Sequence, residues 1–505
     1  MRADQDADLA NESQMADPYD DPFKGDVPEE ACGVFGIRVT PLTRSVSHAT
    51  YDGLYALQHR GQESAGMAVS DGTSITVVKN MGLVSNVFDD RTLQSLPGNI
   101  AIGHTRYSTT GSSTWGNAQP VFRAVGDTGI ALGHNGNLTN TVALAAKLGI
   151  SATDLRSDSD LVAHYLAVEI KRGLGSMQQG ESLKSHPEVL LDALNTVLPE
   201  LKGAFSLVIM DHDRLIGVRD PNGFRPLCLG KLDNGYVIAS ETPALDVVGA
   251  TFVREVDPGE MVVVDELEVR SFRPFPAASV NPKLCIFEFV YFARPDAQLL
   301  GQEVYTTRRH MGEYLAKSAP VEADLVMGVP DSGVPAAVGY AAASGIPYGQ
   351  GLVKNRYIGR TFISPDPASR VDAVRRKLNV LRDNISGQRL VVVDDSIVRG
   401  TTTKAMVKLL REAGATEVHL RISSPPYKWP CFYGIDTPSR PDLLAAVKSL
   451  DEIKAFLEVD SIAYLGLEDL KSAIGAGNDG YCDACLTGCY PIEIPVTIEA
   501  RAMAQ

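Results

Sequence analysis

Between Cys32 and about Val269, short apolar runs alternate with turns, as in Cys32-Gly-Val-Phe-Gly-Ile37, Ile102-Gly-His-Thr-Arg106, Ile130-Ala-Leu-Gly-His134 and Ala204-Phe-Ser-Leu-Val-Ile-Met210. Helical spacing interrupts them, most clearly from Ser159 to Arg172. This pattern predicts an α+β unit with substantial antiparallel sheet. Proline-rich text from Phe272 to Pro282 reads as a connector. Beyond it the rhythm becomes strand, loop, helix, strand: Asp324-Leu-Val-Met-Gly-Val329 leads into Pro330-Asp-Ser-Gly333 and an Ala-rich helix. In the next unit Leu390-Val-Val-Val393 is an apolar strand and Asp394 to Thr402 a polar loop. Thr403 to Ala413 then forms a helix with Met406, Leu409 and Leu410 on one face, closed by Gly414, and Val418 to Ile422 is the following strand. Such alternation predicts a parallel sheet that binds ligands at the carboxyl ends of its strands. The two halves show no internal repeat.

A chain of 505 residues exceeds what one core usually organises, so at least two domains are expected. Its apolar fraction of 44% and charged fraction of 22% are those of ordinary globular proteins. The most apolar stretch, Val334 to Val353, is broken by four glycines and two prolines and reads as buried α/β core rather than a membrane span. A formal charge of −15 argues against nucleic acid or an anionic membrane as the main partner. Seven cysteines without a dense framework point to the reducing cytoplasm, where thiols serve catalysis or metals. Residues 1–31 carry ten acidic residues against Arg2 and Lys24, which fits a disordered leader and neither a secretory signal nor a mitochondrial transit peptide.

Cys32 sits in a small-residue strand, and by itself reads as inert packing. The surrounding text is more informative: Leu57-Gln-His-Arg-Gly-Gln-Glu-Ser-Ala-Gly66, Gly103-His-Thr-Arg-Tyr-Ser-Thr109, His134-Asn-Gly-Asn-Leu138 and Ser157-Asp-Ser-Asp160. In this order the segments resemble the glutaminase domain of N-terminal-nucleophile amidotransferases. The resemblance implies that leader removal makes Cys32 the first residue. Its freed α-amine, with a pKa of about 8, could then take the thiol proton and later protonate departing ammonia. It also implies that Asn135 and the amide of Gly136 stabilise the tetrahedral oxyanion, that Arg106 grips the α-carboxylate of glutamine, and that Asp158 takes its ammonium group. Taken singly, Arg106 could be a surface ion pair, Asp158 a helix cap and Asn135-Gly136 a hairpin turn. His59 and His104 receive structural roles.

Val391-Val-Val-Asp-Asp-Ser-Ile-Val-Arg-Gly-Thr-Thr402 resembles the phosphoribosyl pyrophosphate loop of type I phosphoribosyltransferases. Asp394 and Asp395 could accept hydrogen bonds from vicinal ribose hydroxyls, while Ser396, Gly400, Thr401 and Thr402 offer amides and hydroxyls to the 5-phosphate. A bare Asp-Asp pair could instead cap a helix or bind Mg²⁺ in an unrelated nucleotide fold. Pro330-Asp-Ser-Gly333 is similar to the family's pyrophosphate loop, with Ser332, Asp394 and Asp395 the implied Mg²⁺ ligands. Lys354-Asn-Arg-Tyr-Ile-Gly-Arg360 is either a solvated basic loop or, as the resemblance implies, a segment that closes over the substrate and shapes a path for ammonia.

Tyr481-Cys-Asp-Ala-Cys-Leu-Thr-Gly-Cys489 contains a CxxC pair that spacing alone assigns to zinc, a redox dithiol or packing. Cys285 and Cys431 stand apart in sequence. Together these contexts resemble the iron-sulfur, propeptide-containing subclass of amidophosphoribosyltransferases. The resemblance implies a [4Fe-4S] cluster on Cys285, Cys431, Cys482 and Cys485, with Cys489 open to a ligand exchange and Cys228 left to packing.

The family resemblance runs from Cys32 to about Pro495 and also takes in Arg219-Asp-Pro-Asn-Gly-Phe-Arg-Pro-Leu227 and Arg254-Glu-Val-Asp-Pro-Gly-Glu260. It implies an α+β N-terminal-nucleophile glutaminase domain, with stacked mixed or antiparallel sheets between helices, and an α/β type I phosphoribosyltransferase domain with a parallel sheet. The expected divisions are a removable acidic propeptide at 1–31, glutaminase at 32–270, connector at 271–284, transferase at 285–470 and a cluster-binding tail at 471–505. The implied reaction takes 5-phosphoribosyl 1-pyrophosphate, glutamine and water to 5-phosphoribosylamine, glutamate and pyrophosphate at the entry to purine biosynthesis. A cytoplasmic homotetramer inhibited by purine nucleotides is implied too. Two rivals remain: another amidotransferase of the same glutaminase class, which would have no use for the Asp394-Asp395 loop, and a non-catalytic phosphoribosyl pyrophosphate-binding regulator, which would leave Cys32, Arg106 and Asp158 without purpose.

Overall fold

The computed structural model describes residues 32–40, 45–107, 114–126, 128–151, 157–175, 188–266, 268–355, 378–435, 437, 439–475, 480–496 and 498. The leader and residues 356–360 of the basic segment lie outside the described residues.

The first half supplies strands β1 (Gly33–Val39), β2 (Ser64–Ser70), β3 (Ile75–Met81), β4 (Ile100–Arg106), β5 (Val121–Val125), β6 (Thr128–Leu138) and β7 (Gly203–Met210). They are followed by β8 (Arg214–Arg219), β9 (Cys228–Leu232), β10 (Gly235–Ala239), β11 (Thr251–Glu255), β12 (Met261–Asp265) and β13 (Glu268–Phe272). Two sheets result, in the orders β11-β9-β10-β1-β4-β2-β3 and β13-β12-β8-β7-β6-β5, with antiparallel pairing throughout.

Side-chain alternation explains how they stack. Along β1, Phe35, Ile37 and Val39 meet Val46, Ala49 and Leu54 of helix α1 (Val46–Ala56). Val34 faces the other way, onto Ala131, Val208 and Leu215 of the second sheet. Gly36 lets the sheets close, since a Cβ there would lie 2.6 Å from Leu215 Cδ1. The far face of the second sheet puts Leu132, Phe205 and Leu207 against α2 (Asp158–Gly175) and α3 (Glu188–Val197). The layers therefore run helix, sheet, sheet, helices.

The second half contains a parallel sheet of β14 (Leu325–Gly328), β15 (Arg389–Asp394), β16 (Glu417–Ile422) and β17 (Ser461–Tyr464) in that order. On one face Val391 and Val393 pack with Ala337 and Tyr340. On the other, Leu390 and Val392 pack with Met406 and Leu410. Burial on both faces is why β15 reads as an unbroken apolar run. Helices α4 (Val304–Ser318) and α5 (Val334–Ser344) cross on the first face, and α6 (Thr401–Glu412) covers the second.

Several local expectations need correction. Asn135 and Gly136 form no hairpin turn; they lie inside β6, paired with Ser206 and Phe205 of β7. The phosphate loop ends earlier than expected, because Gly400 at φ 79° lets α6 begin at Thr401. Strand β13 runs on through Phe272, the first residue of the proline-rich connector. Tyr348 and Val353 are exposed, so the end of the Val334–Val353 stretch lines an open cavity instead of core. Among the described residues, no helix is long and apolar enough to cross a membrane.

Candidate functional site

Strand β1 begins immediately after Cys32 and delivers that residue, buried, beside β4. Its thiol lies 3.5 Å from the carbonyl of Tyr107. Burial pushes the thiol above its ordinary value, opposed by Arg106 and reinforced by Asp158 and Glu63. Nucleophile and the candidate glutamine-binding groups thus share one electrostatic environment. Arg106 ends β4 and is buried, with Nη1 3.9 Å from Glu63 Oε2, which excludes the surface ion pair. Asn135 is fully buried, and neither its amide nitrogen nor its amide oxygen has a hydrogen-bond partner among the described residues. A buried amide in this state is a pre-placed donor and acceptor for something not of the protein.

Asp158 is the first residue of α2, but Ser157 takes part of the capping work, accepting from the Asp160 amide at 3.2 Å. Asp158 Oδ2 instead accepts from the Leu138 amide at 3.1 Å and lies 3.6 Å from His134 Nδ1. Burial acts to raise this carboxyl, but His134 together with the Leu138 and Ser159 amides outweighs it and holds it below its ordinary value. His134 is correspondingly raised, burial being overcome by Asp158. His104 donates no such help: burial drives it down to about 3, and its Nε2 sits 2.9 Å from the His134 carbonyl.

The second constellation stands at the carboxyl end of β15. Asp395 is buried, with Ser396 Oγ 2.6 Å from its Oδ1, and the Asp395 amide donates to Asp394 Oδ1 at 3.0 Å. Burial raises both carboxyls; Asp395 adds repulsion at Asp394, whereas hydrogen bonds from Ser332 and Ser396 partly offset the rise at Asp395. A pair in this condition suits a divalent cation or ribose hydroxyls. Beside it, a cavity of about 290 Å³ is lined by Pro330, Asp331, Val334, Tyr348, Leu352 and Lys354. Lys354 Nζ lies 3.1 Å from Asp331 Oδ2 across this cavity's wall. Gly400, Thr401 and Thr402 form the amino end of α6.

Cys285, Cys431, Cys482 and Cys485 line one buried cavity with Arg225 and Tyr433, although in sequence they are 200 residues apart at the extremes, from position 285 to 485. Cys285 and Cys482 are register partners on two short parallel strands. Burial raises all four thiols, Cys285 to about 12. Among the described residues, no three acidic, histidine or cysteine side chains converge tightly enough for a single metal ion. Cys489 is exposed, and Cys228 is buried with its thiol 3.3 Å from the Ala239 carbonyl.

Residues missed by sequence reasoning are those that support these groups: His134 behind Asp158, Arg308 near Asp395, and Arg225 and Glu288 between the halves. His134 and Arg225 lie in runs already singled out and Glu288 just after Cys285, whereas Arg308 lies in none, and nothing local reveals which distant group each meets.

An antiparallel sandwich with a buried cysteine and an unsatisfied asparagine, joined to a parallel sheet ending in an Asp-Asp loop, defines a glutamine amidotransferase coupled to a phosphoribosyltransferase. Family models agree: a glutamine amidotransferase domain matches residues 104–247 and a phosphoribosyl transferase domain residues 303–423. Amidophosphoribosyltransferase of Mycobacterium tuberculosis is 51% identical over 481 residues, covering 93% of this chain and 88% of the relative. That of Synechococcus elongatus is 47% identical over 505 residues, covering 99% and 97%. The solved glutamine phosphoribosylpyrophosphate amidotransferase from Bacillus subtilis, complexed with ADP and GMP, superposes with a TM-score of 0.82 at 44% identity, covering 92% of this chain and 98% of its own. A second solved structure, the allosteric regulatory enzyme of purine biosynthesis, gives 0.82 and 44% with 92% and 97% coverage.

The chain belongs to the amidophosphoribosyltransferase family. It is an enzyme of purine biosynthesis that aminates phosphoribosyl pyrophosphate at the expense of glutamine.

Proposed function

We propose that the two constellations divide this reaction between them, a reading carried chiefly by Asn135, a fully buried amide with neither polar atom hydrogen-bonded among the described residues. Removal of residues 1–31 exposes the α-amine of Cys32, which accepts the thiol proton as sulfur attacks the glutamine amide carbon. The oxyanion receives hydrogen bonds from Asn135 Nδ2 and the Gly136 amide, while Arg106 and Asp158 hold the α-carboxylate and α-ammonium groups. The amine returns its proton to departing ammonia, and water releases glutamate from the thioester.

At the second site Asp394 and Asp395 orient the ribose hydroxyls, and Ser396, Gly400, Thr401 and Thr402 hold the 5-phosphate at the amino end of α6. Lys354 exchanges Asp331 for pyrophosphate. Ammonia bonds to C1 as the C1–O bond to pyrophosphate breaks, the electron pair leaving with pyrophosphate. Ser332, Asp394 and Asp395 would hold Mg²⁺, which neutralises charge on the leaving group.

Cys285, Cys431, Cys482 and Cys485, four cysteines lining one cavity, would hold a [4Fe-4S] cluster. It would cross-link the tail to the transferase domain, at Cys431 and at Cys285 beside the connector. The divisions at 32–270, 271–284, 285–470 and 471–505, a cytoplasmic homotetramer and inhibition by purine nucleotides complete the reading. The nucleotide complex of the Bacillus subtilis relative supports the last of these.

Anaerobically purified enzyme should release pyrophosphate and glutamate in equal amounts from phosphoribosyl pyrophosphate and glutamine, with about four irons per chain and a mass that begins at Cys32. Full activity with residues 1–31 retained would remove the α-amine from the mechanism. Zinc in place of iron would overturn the cluster.

A further inference from the structure

Three consecutive residues of the segment that follows Cys431 are fastened to the first half of the chain, Phe432 and Gly434 to the strand that carries the oxyanion donors and Tyr433 to Phe224 and Arg225. Asn137 Nδ2 donates to the Phe432 carbonyl at 3.0 Å. Arg225 Nε and Nη2 both donate to the Tyr433 carbonyl, at 3.2 and 2.9 Å, and the Tyr433 ring stacks on Phe224 with centroids 4.4 Å apart. Gly434, at φ 98°, presses its α-carbon against Gly136: a Cβ there would lie 2.9 Å from the Gly136 carbonyl carbon and 3.0 Å from its Cα. Gly136 is confined from its other side as well, since a Cβ on it would meet the Ala204 carbonyl at 2.1 Å.

Gly136 is therefore gripped between β7 of its own sheet and a loop from nearly 300 residues further along, at position 434. Its neighbours on β6 are Asn135, with its unsatisfied amide, and Asn137, which holds the loop. An oxyanion donor is useful only if its direction is fixed before the charge develops, and misplacement of about 1 Å can cost a hundredfold in rate. We propose that the Cys431–Ile435 loop is the outer wall of the glutaminase oxyanion pocket, and that Gly434 and Asn137 are positioning residues for hydrolysis of glutamine. Resting on the oxyanion role given above to Asn135 and Gly136, it adds that the donors are held in place only while the second half of the chain is docked on them. Glutamine is then hydrolysed only where the ammonia has an acceptor site attached.

The test uses the processed, metal-loaded enzyme that begins at Cys32, with Gly434→Ala, Asn137→Ala and, as reference, Asn135→Ala. Glutaminase kcat and KM are measured with ammonia-dependent pyrophosphate release and with affinity for the aldehyde analogue of glutamine, which forms a tetrahedral adduct with the thiol. Gly434→Ala and Asn137→Ala should each lower kcat by about tenfold to a hundredfold, weaken aldehyde binding in the same ratio, leave the glutamine KM nearly unchanged and retain ammonia-dependent turnover. Should Gly434→Ala fail to fold, Asn137→Ala carries the test, because it removes one hydrogen bond without adding bulk. Wild-type kcat and aldehyde affinity in these two variants, with Asn135→Ala impaired, would overturn the wall alone. Wild-type kcat in Asn135→Ala would overturn the oxyanion reading and this inference together. A raised KM with kcat intact would make the loop a glutamine-binding surface and also overturn it.

Discussion

Asp158 illustrates how little of a residue's task its local setting reveals. Standing at the start of a helix, it has the sequence signature of a cap, yet Ser157 accepts from the Asp160 amide and Asp158 Oδ2 points back to Leu138 and His134. His134 holds its carboxyl below the ordinary value despite burial. The anionic form is thus present throughout the neutral range and is lost only as pH falls through that lowered value. Replacing Asp158 by Asn keeps the shape and removes the charge proposed above to meet the glutamine ammonium. A hydrogen bond to a charged group contributes roughly 1.5–3 kcal/mol, so the glutamine KM should rise roughly tenfold to a hundredfold while ammonia-dependent synthesis persists. Steady-state kinetics with each nitrogen donor checks this, and an unchanged KM would take Asp158 out of the glutamine site. Cys32, Arg106 and the Asp394-Asp395 pair could be singled out in sequence because each stands in a short string whose residue types suggest a chemistry. Gly434 and Arg225 were not, since their partners lie far away in the chain: Gly136, and Glu288 with the Tyr433 carbonyl.

Among the elements, the parallel unit was the most transparent in sequence. An apolar strand covered on both faces, a polar loop and an amphipathic helix each leave a distinct pattern, and β15 and α6 lie within two residues of their predicted limits. The antiparallel sandwich gave up its strands but not its sheet order, because pairing such as β1 between β4 and β10 is decided by contacts across long separations. The α4–α5 crossing was hidden for a related reason. Gly312 on α4 would place a Cβ 1.8 Å from the Ala336 carbonyl, and Gly339 on α5 one 1.9 Å from the Arg309 carbonyl. These helices touch backbone to backbone, which only glycine permits at those two points. Gly312→Ala must push the helices apart and should cost about 1–3 kcal/mol. Gly345→Ala, at a left-handed helix end with open space, should cost less, about 1 kcal/mol. Denaturant midpoints of the two variants rank the effects; equal losses would mean that α4 and α5 separate without strain.

Across the whole molecule, the halves are joined by charge that has no access to water. Arg60 pairs with Glu241 and with Glu288; Glu288 also meets Arg225, and all four side chains are essentially fully buried. Glu241 binds His59 at 2.7 Å and the Arg294 amide at 2.9 Å, so residues before and after the connector share one network. Removing one member leaves buried charge uncompensated, which typically costs about 3–5 kcal/mol. Glu288→Gln strips the shared countercharge from Arg60 and Arg225 at nearly constant volume, and it weakens the same Arg225 that grips the Tyr433 carbonyl. The chain's two tryptophans, Trp115 and Trp429, lie one in each half and report them separately. In the parent enzyme, single-tryptophan variants should unfold at the same denaturant concentration, because the shared buried network couples the halves. With Glu288→Gln both midpoints should fall and move apart, since the network that makes unfolding of one half felt by the other has been cut. If the midpoints stay together at the parent value, the buried charges contribute nothing to the coupling, and the apolar contacts between the halves must hold them together unaided.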